Sequence, residues 1–356
     1  MMNLEGIARQ FFEFETGSFE AEPIGSGNIN DTFRIAFLQK NEPQVFILQR
    51  LNHLVFTKPD DVMSNARLLA ERLAASDFSL KIPTPQPTIR GDFWANDAAG
   101  NWWRVLPFFE KTFAPDQADS PEIAYEAARG IGLFLKKLAD LPAENLKETI
   151  AGFHDTARRW LVFEAVLKEN KANRLQFCEK EVAEIFNQKH VFEKIDSLKK
   201  SGELPSRATH NDPKAANVLL DISTKKAVAV IDWDTAMAGT IPSDFGDMMR
   251  SFAPTLFEDD PAVEKMEVNL PIVEAMCAGF LDEAAPFLTT VERENLFAGG
   301  QWIIFEQALR FLTDFLAGDV YYKTAFPEHN LVRARNQLAL LRAVGRHEAA
   351  IRRFLK

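Results

Sequence analysis

Asp212, Asn217 and Asp232 have the types and order that phosphoryl transfer requires. Asp212 lies two residues after His210 and five before Asn217, and Asp232 directly follows the apolar run 227–231. Phosphoryl transfer needs a carboxylate that orients the attacking hydroxyl and accepts its proton, and oxygen ligands that hold Mg²⁺ on the phosphates. Asp212 suits the first task, and the other two suit the second. The alternative is that all three only form turns, but turn formation does not explain their order in the whole chain.

The elements around these residues must hold them at one place. The segment 207–217 predicts a loop, and the run Ala-Val-Ala-Val-Ile at 227–231 predicts a buried strand. Asp232-Trp-Asp234 then predicts a tight turn after that strand. Asp234 is either an auxiliary metal ligand or a residue that shapes this turn.

Composition excludes several classes of protein. The chain has 356 residues, of which 46% are hydrophobic and 26% charged, as in a globular protein with room for two lobes. Its net charge of −10 argues against a nucleic-acid partner, but not against a nucleotide bound with Mg²⁺. The apolar runs are too short to cross a membrane, and the first residues do not resemble a signal peptide. Cys178 and Cys277 have no metal-binding spacing and indicate a reducing compartment, so we expect a cytoplasmic protein with both cysteines buried.

The pattern of apolar residues changes along the chain. The first hundred residues predict mainly strands, and the remainder predicts helices. In the first part we predict a helix within 4–14, strands within 23–37 and 45–50, a helix at 60–75, an extended connector at 83–87 and a hairpin of 90–94 with 102–108. In the second part we predict helices at 121–141, 156–169, 179–200, 244–257, 263–280, 290–316 and 331–354.

This order predicts an α+β fold with two lobes. Residues 1–108 form a small mixed β-sheet N-lobe, and residues 109–356 form a large helical C-lobe. A short hinge near 106–109 joins them, and the cleft between lobes is the expected place for a small-molecule site.

The order of these parts resembles the aminoglycoside phosphotransferase and choline kinase family, whose members share a bilobal protein-kinase-like fold. The resemblance covers almost the whole chain, and the His-x-Asp-x-x-x-x-Asn segment is its most specific motif. Within the family, the stretches 25–33, 46–52 and 310–321 look closest to bacterial N-acetylhexosamine 1-kinases. This resemblance implies ATP and Mg²⁺ as cofactors.

For the catalytic loop, the resemblance implies Asp212 as catalytic base, Asn217 as a Mg²⁺ ligand and Asp232 as the principal Mg²⁺ ligand. His210 is expected to be a core histidine that supports the loop through backbone hydrogen bonds. A later triplet, Asp-Phe-Gly at 244–246, is expected to begin a helix whose Asp247 braces the same loop.

For the nucleotide, the resemblance implies contacts from the glycine turn, the third strand and the hinge. The expected residues are Gly25, Ser26, Gly27, Asn28, Asn30, Gln49, Pro107 and Phe109. Gln49 occupies the position of the phosphate-anchoring lysine, and Arg50 faces the other side of the strand. Because a neutral amide cannot replace a cation as a phosphate clamp, either Lys214 or a loop residue compensates, or nucleotide affinity is modest.

For the acceptor, the resemblance implies the anomeric hydroxyl of N-acetylglucosamine or N-acetylgalactosamine, bound by Asp212, Arg310 and Tyr321. The alternatives are a kinase of an amino alcohol, an aminoglycoside or homoserine, and a pseudokinase that only binds or regulates. A cationic acceptor requires an acidic, aromatic cage, whereas the C-terminal segment mixes both charges and favours a neutral polyol. Without a role in binding, Arg310 would pair with Asp314 one helical turn on, and Tyr321 would simply pack.

Overall fold

The computed structural model describes residues 2–25 and 29–356, and it has the predicted α+β, two-lobed architecture. The N-lobe is built on an antiparallel five-stranded sheet with the order β1-β2-β3-β5-β4. Its strands are β1 (Glu20–Pro23), β2 (Asp31–Gln39), β3 (Glu42–Leu51), β4 (Ala95–Asn96) and β5 (Trp102–Pro107).

The two faces of this sheet have different partners. Leu48 and Trp103 are fully buried on one face, against the N-terminal helix α1 (Leu4–Ala8) and the residues after it. In the register of β3 and β5, Gln49 lies opposite Arg104. Because successive side chains of a strand point to opposite faces, Gln49 and Arg104 share the other face.

A helix and a connector attach the N-lobe to the C-lobe. Asn65, on α2 (Pro59–Ala74), donates hydrogen bonds from Nδ2 to the carbonyls of Lys147 and Ala236, at 2.8 and 2.9 Å. The proline-rich connector 83–87 contains neither helix nor strand, and the backbone N–H of Lys81 just before it bonds to the carbonyl of Val228 at 2.7 Å.

The C-lobe is mainly helical. Its helices are α3 (Pro121–Leu138), α4 (Thr156–Glu169), α5 (Glu179–Asn187), α6 (His190–Ser201), α7 (Ile241–Phe252), α8 (Leu270–Ala284), α9 (Thr290–Glu294), α10 (Leu296–Ala317), α11 (His329–Arg346) and α12 (Glu348–Phe354). The long helix α10 is almost entirely buried and packs against α4, α6, α7 and α11. A side chain at Gly246 or Gly299 would collide with the facing backbone, so these glycines permit the close approach of α7 and α10. Across the residues that the structure describes, no helix is both long and apolar enough to span a membrane.

Two small antiparallel sheets carry the central motif. β6 (Thr112–Phe113), β8 (Val218–Asp221) and β9 (Ala227–Val230) form one, and β7 (Arg207–Thr209) pairs with β10 (Met237–Gly239) in the other. The catalytic loop connects β7 to β8, and the turn with Asp232 connects β9 to β10.

Several helix boundaries differ from the predictions. The predicted helices 179–200, 290–316 and 331–354 are each two helices, which meet near Gln188, Asn295 and His347. The first break allows Phe186 and Phe192 to contact Trp160 from two directions, at ring distances of 5.2 and 5.7 Å. Instead of 263–280, a helix runs over 270–284 because Pro271 is tolerated only in a first turn.

Candidate active site

Helix α7 holds the catalytic loop in place through hydrogen bonds to its backbone. The backbone N–H groups of His210 and Asn211 donate to the two carboxylate oxygens of Asp244, each at 2.8 Å. His210 is fully buried, and its Nε2 bonds to the carbonyl of Ile231 at 2.9 Å, so its predicted structural role is confirmed.

The expectation that Asp247 braces this loop is wrong. Asp247 Oδ1 accepts from Arg250 Nε at 2.7 Å, and Asp244 supplies the bonds to the loop instead. Both aspartates lie in the first two turns of α7, and only the packing of the helix decides which one reaches the loop N–H groups. Burial, partly offset by the charge of His210, raises the pKa of Asp244 to about 6.

Asp212 is oriented by its own loop. Asn217 Nδ2 donates to its carbonyl at 2.7 Å and to its Oδ2 at 3.1 Å, and Lys214 Nζ lies 3.1 Å from the same Oδ2. Burial alone would raise the pKa of Asp212, but nearby positive charge, above all that of Lys214, holds the pKa below its ordinary value. The carboxylate is therefore ionised and can accept a hydrogen bond from a hydroxyl group.

Asp232 begins the turn that was predicted to bind metal. Its backbone is left-handed, with φ of 62°, and the N–H of the preceding Ile231 bonds to the carbonyl of Asn217 at 2.9 Å. Asp232 is accessible to solvent, yet the surrounding protein disfavours its charge and, together with Asp234 and Asp212, raises its pKa to about 7.

These residues fit a Mg²⁺ ion that shares its ligands with phosphates. Mg²⁺ usually takes one or two protein carboxylates together with phosphate oxygens and water. Over residues 2–25 and 29–356, no three His, Cys, Asp or Glu side chains form a complete metal site. The surrounding protein and the nearby charges of Asp234 and Asp212 disfavour the charge of Asp232, and a divalent cation would offset both effects.

Asp234 is held by the N-lobe. It is 2% exposed, and its Oδ1 lies 2.5 Å from Arg104 Nη1 in a buried ion pair. Its Oδ2 accepts from Asn30 Nδ2 at 2.7 Å. Because both oxygens have N-lobe partners, this geometry favours the role in shaping the turn over the role of metal ligand.

The glycine turn is described in part. Gly25 has φ of 80°, which favours glycine, whereas Ser26, Gly27 and Asn28 lie outside the described residues. Asn30 stands at the end of the turn, where its Oδ1 accepts from the N–H of Asn52 at 3.0 Å. Its side chain therefore connects β3 to Asp234, while its predicted contact with phosphate stays a prediction.

Gln49 and the hinge residues are placed as follows. Gln49 Oε1 accepts from Arg104 Nε at 2.9 Å, and the neighbouring Arg50 pairs with Asp31, which is consistent with opposite faces of the strand. Pro107 ends β5 and is half-buried, as is Phe109, whose carbonyl accepts from Thr112 Oγ1 at 2.6 Å.

Arg310 does not pair with Asp314. The Asp314 carboxylate accepts from the N–H groups of Val320, Tyr321 and Tyr322, at 2.8 to 2.9 Å, and thereby folds the loop that follows α10. Arg310 Nη1 instead donates to the neutral Gln307 Oε1 at 3.0 Å. The simple pairing of Arg310 with Asp314 is thus wrong.

Aromatic rings surround the Arg310 guanidinium. Its Cζ lies 5.8 Å from the ring centre of Phe153 and 5.5 Å from that of Tyr322. Tyr321 is 63% exposed and meets Tyr322 edge-on at 4.8 Å, so it does not pack into the core. The loop after α10 consequently presents a phenol ring to solvent beside a guanidinium that has no ion-pair partner among the residues described.

A buried network supports this region. Glu306, one turn before Arg310, accepts from Thr156 Oγ1 and lies 2.8 Å from His154 Nδ1. Burial alone would raise its pKa, but the charges of His154 and Arg159 hold it at about 2. Glu306 is therefore ionised and already paired with His154 and Thr156.

The sequence analysis assigned no role in the site to four residues that the structure places there: Arg104, Asp244, Arg250 and Glu306. The positive charge of Arg250 acts on both Asp212 and Arg310, which links the catalytic loop to α10 electrostatically. Arg104 could have been found from the sequence, because both strands were predicted. Pairing the strand at 102–108 with the strand at 45–50 would have shown that Arg104 can lie opposite Gln49. Asp244 stood in the triplet 244–246 that was noticed but assigned only to a helix start.

The fold and the catalytic loop together define a kinase-like phosphotransferase. The model of the phosphotransferase enzyme family (APH) matches residues 20–275, well over half of the chain. The chain belongs to this family.

Solved structures of similar fold cover nearly the whole chain. An aminoglycoside phosphotransferase from Alicyclobacillus acidocaldarius is 12% identical with a TM-score of 0.62, and the match covers 100% of this chain and 97% of that one. Choline kinase from Cryptosporidium parvum is 15% identical with a TM-score of 0.59, covering 98% and 96%. A spectinomycin phosphotransferase in complex with ADP and spectinomycin is 13% identical with a TM-score of 0.60, covering 97% and 99%. At these identities the similarity shows a shared fold.

Proposed function

We propose that this protein transfers the γ-phosphoryl group of ATP to the anomeric hydroxyl of an N-acetylhexosamine and releases the sugar 1-phosphate. In this proposal the N-lobe, residues 1–108, binds the nucleotide, and the C-lobe, residues 109–356, carries the catalytic loop and the acceptor site. The observation that carries the choice of acceptor is the state of Arg310, a guanidinium that has no carboxylate partner among the described residues and lies over Tyr322, the neighbour of the exposed Tyr321.

The charges around Arg310 favour a neutral acceptor. The positive charges of Arg250 and Arg159 both lie close enough to act on Arg310. The negative charge of Glu306 also acts on Arg310, but its carboxylate already has other partners. A quaternary or primary ammonium acceptor would meet repulsion here, since cations are bound by aromatic rings and free carboxylates. An acetamido carbonyl or a ring hydroxyl can accept the N–H donors of Arg310, and Tyr321 can stack on the apolar face of a sugar.

The proposed mechanism assigns one task to each residue. Asp212 accepts the hydrogen bond of the anomeric hydroxyl and takes its proton as the sugar oxygen bonds to the γ-phosphorus and the bond to the β–γ bridging oxygen breaks. Lys214 keeps Asp212 ionised. Asn217 and Asp232 would hold Mg²⁺, which supplies charge neutralisation at the phosphates.

On the nucleotide side, backbone N–H groups between Gly25 and Asn30 would contact the phosphates. The hinge residues Pro107 and Phe109 would border the base. The β–γ bridging oxygen keeps the electron pair of the broken bond and becomes a terminal phosphate oxygen of ADP, which leaves. Asp212 then releases the proton to solvent.

A panel of acceptors tests this proposal directly. With Mg-ATP we expect ADP release with N-acetylglucosamine or N-acetylgalactosamine, and loss of the sugar's reducing end as the 1-phosphate forms. Turnover with choline, homoserine or an aminoglycoside but with neither hexosamine would replace the proposed acceptor by a cationic or zwitterionic one. A folded protein that turns over none of them would be a pseudokinase.

Substitution of the acceptor residues gives a second test. Arg310→Ala is expected to raise the KM for N-acetylhexosamine by about 10- to 100-fold, the effect of losing a hydrogen bond to a charged group, with little change in the KM for ATP. Tyr321→Ala should act in the same direction but less strongly, because it removes a contact of an exposed ring.

Arg352→Ala is a matched control for Arg310→Ala, because Arg352 is a half-exposed arginine on α12 paired with Glu348. It should leave both KM values unchanged. If Arg310→Ala and Tyr321→Ala bind hexosamine normally but melt at much lower temperature, both residues are structural and the acceptor binds elsewhere.

A further inference from the structure

Arg104 is a cation of the N-lobe that pairs with Asp234, in the turn after β9. Arg104 is 3% exposed and lies opposite Gln49 in the register of β5 and β3. Gln49 Oε1 accepts from Arg104 Nε and Nη2, at 2.9 and 2.5 Å, and Gln49 Nε2 donates to Thr32 Oγ1 at 3.0 Å. The amide therefore fixes the position of a guanidinium in the place where a strand lysine was expected.

The same guanidinium reaches the C-lobe. Arg104 Nη1 lies 2.5 Å from Asp234 Oδ1, two residues after Asp232. A guanidinium has five N–H donors, and the hydrogen bonds to Gln49 use two of them, from Nε and Nη2, while Nη1 forms the ion pair with Asp234. The remaining N–H groups belong to Nη1 and Nη2, at the end of the side chain.

Lys214, the other candidate for the missing charge, is already engaged. Its Nζ lies 3.1 Å from Asp212 Oδ2, and the charge of Asp212 raises its pKa despite burial. Lys214 therefore serves the catalytic loop, whereas Arg104 pairs from the N-lobe with Asp234, in the turn after β9.

We propose that Arg104 binds the phosphates of the nucleotide, as a cation supplied from β5 in place of a lysine on β3. Gln49 is its positioning residue, and Asp234 is its counter-ion. A planar guanidinium can donate to two phosphate oxygens at once, which suits this role. The competing explanation is that the Arg104–Asp234 pair only holds the two lobes together.

Binding of ADP and of adenosine by Arg104→Gln separates these explanations. With Mg²⁺ present, titration calorimetry should show ADP affinity reduced by about 10- to 100-fold, as expected for the loss of a hydrogen bond to a charged group. Adenosine has no phosphate, so its affinity should stay close to that of the wild type. A purely structural pair would instead weaken both ligands together or neither.

Two further variants keep the test decisive. Arg104→Gln leaves Asp234 without its cation, so the double variant Arg104→Gln/Asp234→Asn, which removes both buried charges, is measured if the single variant does not fold. The exchange variant Gln49→Lys/Arg104→Gln returns a cation to β3 and is expected to recover most of the lost ADP affinity. Arg67→Gln, at an exposed arginine of α2 paired with Glu71, is the control and should bind ADP normally.

The inference is overturned if folded Arg104→Gln binds ADP as the wild type does. It is also overturned if ADP and adenosine lose affinity equally and the exchange variant restores neither. Because these titrations contain no acceptor, their outcome is independent of whether the protein phosphorylates N-acetylhexosamines.

Discussion

Asp212→Asn is expected to lower kcat by about 10²- to 10⁴-fold, the usual effect of losing a general base, while ADP and hexosamine still bind. Asparagine keeps the volume of the side chain and an oxygen that can accept from Asn217 and Lys214, whose donors lie 3.1 Å from Asp212 Oδ2. It cannot take the proton of the attacking hydroxyl. Steady-state turnover gives kcat, and titration calorimetry with ADP and with N-acetylglucosamine checks that both sites remain intact.

A matched substitution separates this effect from general loss of charge. Asp221 is the last residue of β8, and its carboxylate accepts bonds from Ser223 and Thr224 in the turn that follows. Asp221→Asn should change kcat by less than about twofold, as is usual for surface positions away from the site. If Asp212→Asn retains more than about a tenth of the wild-type kcat, Asp212 is not the base.

Asp232→Asn is expected to lower Mg²⁺-dependent turnover by about 10³-fold or more, since a bound metal contributes several kcal/mol to the transition state. Asparagine is chosen over alanine because the φ of 62° at this position lies in the left-handed region that asparagine tolerates. Turnover and ADP affinity are measured across a Mg²⁺ titration, and both should lose most of their dependence on the metal.

The same variant should keep its stability without metal. The pKa of Asp232 is raised from 3.8 to about 7 in the folded protein, so its ionisation opposes folding, and stability is lost as the pH rises from the lower of these values to the higher. Removing the charge therefore should not lower the Tm of the metal-free protein at pH 8. A large fall in Tm would show that Asp232 has a structural role that its surroundings do not suggest.

Asp234→Asn provides the contrast to Asp232→Asn. It leaves the buried Arg104 without its carboxylate, and breaking such a pair costs about 3–5 kcal/mol, so the Tm should fall clearly. The Mg²⁺ dependence of the folded fraction should remain. Equal loss of Mg²⁺ dependence in both variants would instead make Asp234 a metal ligand.

The sequence alone was sufficient for the fold class and for the order of the chemical groups. Asp212 and Asn217 belong to one short loop, and Asp232 follows the strand after it, so local spacing already brings the three close together. Apolar periodicity separated the sheet lobe from the helical lobe because each period reflects a local backbone geometry. Breaks of one or two residues, as near Gln188, leave this periodicity almost unchanged and were missed.

The partners of the charged residues were decided only by the tertiary structure. Arg104 is 55 positions from Gln49 in the chain, and only the pairing of β3 with β5 brings them together. Asp314 could have paired with Arg310 one turn before it, but it accepts three backbone N–H groups of the next loop. These bonds satisfy the carboxylate of Asp314, which is 5% exposed and would be costly to leave without donors. Spacing along the chain thus predicted which groups could do chemistry, whereas the need to satisfy buried charged and polar groups determined which partners they meet.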